Sequence, residues 1–191
     1  MWPTGLKELG ISGKIPVEQQ TLAGRAIGRL TDLGWGARLR DLLSPGAPDG
    51  GAPAELLGAV VNVLREWAFG DGRWAQRPCG VVAIGSHNRP VLIGSVAGHI
   101  ARVGRLPLLG TIGTSIPMAE SARANSAHRV RGLHGSFTLP PNLLEALSEC
   151  RGPVLLVDDL VDSGWTMAIA ARELLAAGAT AVLPFALAST N

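Results

Sequence analysis

Between Val17 and Leu33 apolar residues recur at helical spacing, with Leu22, Ala26, Ile27 and Leu30 on one face, which predicts a helix. Residues 1–16 before it are punctuated by Gly and Pro and read as an extended opening segment. A second, short helix is expected at Ala37–Leu43, and the run Ser44–Pro53 has the composition of a flexible joint. A stronger helix follows at Pro53–Phe69, where Pro53 suits the first turn and Leu56, Leu57, Val60, Val61 and Leu64 form the apolar stripe. From there the spacing changes. Val81–Ile84 is a short apolar run ended by Gly85, the mark of a buried strand. An amphipathic helix at Val91–Val103 and a strand at Leu106–Ile112 come next. Residues 113–134 show no apolar period and predict a long loop, a kind of segment that is usually functional in compact domains. Gly135–Leu139 reads as a short strand, Asn142–Cys150 as a helix and Val154–Val157 as a buried strand; Thr166–Ala177 is a helix closed by Gly178, and Thr180–Ala188 a last strand. This alternation predicts an α/β fold, a mostly parallel sheet flanked by helices. The expected division is an N-terminal helical extension and linker over 1–52 and an α/β domain over 53–191, with its core in 80–191.

Composition adds bounds. Apolar residues make up 47% of the chain and charged ones 17%, so a real core is expected rather than disorder. A net charge of +2 is too small to imply a nucleic-acid coat. Cys79 and Cys150 stand alone in the sequence, with no metal-ligand spacing, and two lone thiols do not make a disulfide framework; a reduced cytoplasm is the simplest expectation. Met1-Trp-Pro-Thr-Gly is no signal peptide, and the apolar run Leu56–Val63 is too short to span a bilayer, so no membrane partner is expected. Four of the five tryptophans, Trp2, Trp35, Trp67 and Trp74, fall outside the predicted core.

The chemistry concentrates in Val154-Leu-Leu-Val-Asp158-Asp159-Leu-Val-Asp162-Ser163-Gly164-Trp165-Thr166. A buried strand there delivers two adjacent carboxylates at its carboxyl end, where parallel α/β sheets bind ligands. The next helix begins near Trp165, and its first N–H groups, with the helix dipole, favour a phosphate. Gly164 permits close approach, and the Ser163 and Thr166 hydroxyls add donors. The acidic pair suits hydroxyl groups or a metal ion instead. A ribose bearing a 5′-phosphate fits both halves. A plain strand-to-helix turn capped by Asp162 or Ser163 is the competing reading.

This run resembles the phosphoribosyl-diphosphate signature of type I phosphoribosyltransferases. The resemblance implies that Asp158 and Asp159 bind the ribose hydroxyls, and meet Mg²⁺ indirectly as it arrives with phosphoribosyl diphosphate. It implies that Asp162, Ser163, Gly164, Trp165 and Thr166 bind the 5′-phosphate, with Asp162 also assisting proton transfer; Asp158, Asp159 and Asp162 would be the catalytic set. Trp165 stands where the family has a small or polar residue. The loop after the first core strand, Ser86-His87-Asn88-Arg89, corresponds to the pyrophosphate loop. Arg89 is its expected charge partner, while His87 reads equally as a helper or as a solvated loop residue. The stretch 114–134 corresponds to a mobile hood carrying Arg123, Asn125, Ser126, His128, Arg129 and Arg131 against the lone acid Glu120; it reads either as a cationic lid or as an ordinary solvated loop.

The hood and the signature are most similar to the ComF branch. The strings WPTG, RLTDLGWGARLRDLL, RPVLIGSVAGHIARVGRLPLLG, NSA-x-R and PVLLVDDLVDSGWTM also resemble the C-terminal region of certain bacterial RecQ-type DNA helicases. The implied ligand is phosphoribosyl diphosphate or a nucleotide. The implied partners are a helicase motor, in cis or in trans, and single-stranded or 5′-phosphorylated DNA; the four tryptophans outside the predicted core could dock a helicase body. The motor's own motifs are absent: no G-x-x-x-x-G-K-[ST] loop occurs, and Gly13-Lys14 lacks the spacing for one. Helicase activity is therefore not expected from this chain alone, which reads as a C-terminal fragment or a stand-alone relative. No aromatic residue follows the last predicted strand to stack on a base, so the sequence offers the ribose-phosphate half of a site without a base half.

Overall fold

The computed structural model describes residues 1–114 and 125–190. Its strands are β1 (Arg25–Arg29), β2 (Gly80–Ile84), β3 (Leu108–Thr114), β4 (Phe137–Thr138), β5 (Val154–Val161) and β6 (Val182–Ser189). Its α-helices are α1 (Trp35–Leu42), α2 (Ala54–Phe69), α3 (Pro90–Gly104), α4 (Ser126–Leu133), α5 (Pro141–Glu149) and α6 (Trp165–Ala176). The strands form one sheet in the order β1-β6-β5-β2-β3-β4. All neighbours are parallel except the short β3–β4 pair at the edge.

A parallel sheet must be covered on both faces, and the pleat divides its side chains between them. Val82, Ile84, Val154 and Leu156 face a layer built from α4, α5, α6 and the first residues of the chain, including Trp2, Leu6 and Ile11. Their chain neighbours Val81, Ala83, Leu155 and Val157 face α1, α2 and α3. Phe185, predicted to be core, is fully buried in that second layer. Among the described residues no helix is long and apolar enough to cross a membrane.

Outside the cleft, the structure corrects four sequence expectations. The first concerns Val17–Leu33, which is not a helix: a single 3₁₀ turn at Val17–Gln19 leads into strand β1. The periodicity there is outweighed by β6, whose outer edge would otherwise present a row of unpaired backbone groups. β1 pairs along that edge from Arg25↔Phe185 to Arg29↔Ser189, and Leu22 N and Leu30 N extend the bonding to Val182 O and Ser189 O. Gly24 fits the approach closely, since a Cβ there would lie 2.8 Å from the Pro184 carbonyl oxygen.

The second correction is the joint at Ser44–Pro53, which is tied down: both Asp49 carboxylate oxygens accept bonds from the start of α3, and Ala52 N donates to Ser95 Oγ. The third concerns Trp2 and Trp67. Both are buried, Trp2 stacking on Trp165 with ring centroids 5.8 Å apart, so of the four only Trp35 and Trp74 stay partly exposed. The fourth is the cysteines, which are joined in a disulfide across 71 residues with Cα atoms 5.8 Å apart. Sequence spacing carries no sign of that bond, because the segments before β2 and β5 meet only through the register Gly80↔Val154.

Residues 1–52 therefore supply a strand and buried side chains to the sheet. Leu39 on α1 is fully buried in the second layer, where α1 packs on β1 and β6. Leu39→Ala is expected to lower unfolding free energy by about 2–5 kcal/mol. Urea unfolding measures this, and a loss under about 1 kcal/mol, as expected of a surface position, would contradict the packing described.

Candidate functional site

Where two adjacent parallel strands send their connections to opposite sides, the loops part and leave a crevice at the carboxyl ends. β2 and β5 do this. β2 leads through α3 to β3 on one side, and β5 leads through α6 to β6 on the other, with α3 and α6 on opposite faces. A cleft of about 420 Å³ opens there. Three sequence segments meet in it: Ser86–Arg89 after β2, Asp158–Thr166 at the end of β5, and Arg129 from α4. The sequence expected the last of these to lie in a loop; instead residues 126–133 form a helix, with the Asn125 side chain accepting a hydrogen bond from His128 N (2.9 Å) as its cap. Arg123 and Glu120 lie outside the described residues.

The acidic pair sits at the floor. Asp158 is buried; its Oδ1 accepts a bond from Asp159 N at 2.9 Å, while Oδ2 is buried with no hydrogen-bond partner. Burial, and after it the negative charge of Asp159, push the Asp158 carboxyl well above the usual carboxylate range. A buried acceptor left unpaired costs free energy unless something arrives to bond it. Asp159 is better supplied, since its Oδ2 accepts the Ser86 hydroxyl at 2.9 Å. That bond links the two strand ends across the crevice.

The turn that opens α6 follows. Gly164 stands at the start of α6 with φ +77°, a left-handed conformation that favours glycine, and it has no side chain to place on the first-turn donors of the helix. Asp162 points across the cleft: its Oδ2 pairs with Arg129 at 2.5 Å and its Oδ1 accepts from Thr190 Oγ1 at 2.8 Å. The Arg129 bond first, and the Thr190 bond second, hold the Asp162 carboxyl below its ordinary range. Trp165 is half-buried under Trp2, so its ring packs on the opening segment of the chain.

The Ser86–Arg89 arm differs from its expected role. His87 and Asn88 are exposed at the rim, but Arg89 is buried, and its guanidinium donates to Leu42 O (3.1 Å) and to Ser44 O at the end of α1. Arg131 points away from the cleft and binds Glu8 (2.5 Å) and Gly5 O (2.9 Å) of the opening segment.

Three contributors escaped the sequence reading. Thr190 was legible in principle, because it directly follows β6, the strand beside β5. Leu43 and Pro45, which line the cleft, carried no signal, since bonds to a distant segment, those of the Arg89 guanidinium and of the Asp49 carboxylate among them, hold their loop there. No protein-family model matches the chain, and no curated protein is significantly similar to it.

Asp158 also yields a test of the site's electrostatics. A group whose folded-state pKa is raised stabilises fully only below its unfolded value, about 4, and loses that contribution as pH rises through the folded value. Asp158→Asn is therefore expected to unfold at a higher temperature than the wild type, by a margin that widens from about pH 4 upward. Thermal unfolding followed by circular dichroism on both proteins across that range checks it; an unchanged or lower midpoint at neutral pH would refute the account of a strained carboxyl.

Proposed function

We propose that the cleft binds a 5-phosphoribosyl ligand, phosphoribosyl diphosphate or a nucleotide, as a phosphoribosyltransferase-type domain. The observation that carries this reading is the buried, unpartnered Oδ2 of Asp158 beside the glycine turn that opens α6. In it, Asp158 and Asp159 accept hydrogen bonds from the ribose hydroxyls. The turn Asp162–Thr166 receives the 5′-phosphate on the first N–H groups of α6, where the helix dipole favours an anion. The two carboxylates are hard oxygen donors of the kind that suits Mg²⁺, which would travel with a diphosphate and neutralise its charge.

If the domain is a transferase, the bond from ribose C1 to the pyrophosphate oxygen breaks and a nucleobase nitrogen or an amine forms the new one. Asp158 and Asp159 would orient the sugar, and negative charge on the acidic pair, carried by Asp159, would favour an oxocarbenium-like transition state. Asp162, paired with Arg129 and Thr190, would assist proton transfer to or from the incoming group. A second reading is a binding module without catalysis, the C-terminal accessory domain of a RecQ-type helicase that recognises a nucleotide or a 5′-phosphorylated DNA end. It is favoured by Arg89, whose guanidinium is engaged with main-chain carbonyls.

Calorimetric titration of ribose 5-phosphate into the full chain is expected to show saturable binding. The Asp158→Asn, Asp159→Asn double variant should lose it by a hundredfold or more, about 3 kcal/mol, while keeping the wild-type circular dichroism spectrum. Unchanged affinity in a folded double variant would refute the site.

A further inference from the structure

Helices α2 and α3 lie on the same face of the sheet and leave a groove of about 630 Å³ between them. Val61, Leu64 and Ala68 of α2 and Ile100 and Val103 of α3 form its walls, and the buried Leu155 of β5 lines it from beneath. The α2 residues recur at three- and four-residue steps and so share one side of that helix, while Trp67 turns into the core. Because α3 leaves the carboxyl end of β2, its last turn lies back at the amino ends of the strands. The groove therefore sits at the end of the sheet remote from the cleft, and the two share no lining residue.

The rim is apolar and open to water. Phe69 is 80% exposed and Val103 48%. Trp74, half-buried, is held against the ring of Trp67 with centroids 5.2 Å apart, so it stands as a fixed wall. An open apolar surface of this kind marks a place for a partner.

The charges at the groove are of one sign. Arg65 and Arg77 line it, and no acid does among the described residues. Arg77 is fixed in place: its Nη2 donates to Gly104 O (2.5 Å) and Arg105 O (3.4 Å) at the carboxyl end of α3, which leaves Nη1 and Nε for another acceptor. Arg73, Arg102 and Arg105 adjoin lining residues in the chain. The acids nearest in sequence are Glu66 and Asp71. Glu66 is turned about 100° round α2 from Arg65, away from Leu64 and Ala68, and Asp71 lies beyond the end of the helix.

We propose that this groove docks an acidic amphipathic helix of a partner protein, with its apolar stripe between α2 and α3 and its carboxylates on Arg65 and Arg77. A third helix suits a trough between two, since it lays residues at three- and four-residue steps into one groove. Nucleic acid matches the charge and not the walls, because its phosphates would meet the arginines and leave the apolar side chains uncovered. A partner seated here leaves the mouth of the cleft clear, and the proposal holds whatever ligand the cleft takes.

The test starts with selection on the full chain from a displayed library of random peptides of about 16 residues, more than four helical turns. The expected binders carry apolar residues at three- and four-residue steps with Asp or Glu between them. One such peptide, synthesised and titrated by fluorescence anisotropy, should bind about tenfold more weakly to Phe69→Ser and to Arg65→Glu. Both residues are exposed, so each variant should keep the wild-type circular dichroism spectrum and thermal midpoint. Lysine in place of the peptide's acids should abolish binding. A selection that yields no binder, or only basic or unpatterned ones, overturns the proposal, as does an affinity that neither variant changes. Displacement of the peptide by a single-stranded oligonucleotide at physiological salt would make the groove a nucleic-acid surface instead. Self-association of the wild type that Phe69→Ser abolishes in sedimentation would make a second copy the occupant, and either result also overturns the proposal.

Discussion

Side-by-side hydrogen bonding of β2 and β5 is the constraint from which the rest of the molecule follows. Parallel neighbours need long crossover connections, and these two send theirs to opposite sides and opposite faces. The crevice is the geometrical consequence of that divergence. Everything polar in the site hangs from it: the carboxyl end of β5 brings Asp158 and Asp159 to the floor, and the end of β2 brings Ser86 within 2.9 Å of Asp159.

Packing has set the chemistry of that floor at some cost to the fold. Four apolar residues bury β5 on both faces, and the same burial continues one residue further to enclose Asp158. A carboxylate there is held against its preference for water, beside a second negative charge. Such strain at a concave site is a common mark of function, since an arriving hydroxyl can supply the missing bond. Asp162, four residues on, shows the opposite balance, being half-exposed and matched by Arg129 and Thr190. Two acids of one short segment are thus driven in opposite directions by their surroundings, a pattern that separates roles between like groups.

Much of this was legible in the amino-acid order. β2 and β5 were visible as short continuous apolar runs and the helices α2 and α3 by their apolar stripes, and Asp158–Thr166 stood out because its acids, glycine and hydroxyls fall where a strand ends and a helix begins. What escaped was set by distant partners. β1 carries a helical spacing, yet it is a strand because β6 has an open edge. The joint around Asp49 is Gly- and Pro-rich, yet it is fixed because a helix end needed an anion. Arg89 has the right charge in the right loop, but its direction depends on where α1 finishes. Local periodicity does not encode such matches.

The disulfide lies at the other end of these strands. Cys79 immediately precedes β2, and Cys150 precedes β5 by a short turn, so the covalent link binds the amino ends of the two neighbours while the crevice lies at their carboxyl ends. The sheet resembles a book stitched along its spine. Its leaves cannot slide or splay at the bound margin, and any change in the width of the mouth must come from the loops at the free margin, with the strands keeping their register beneath them.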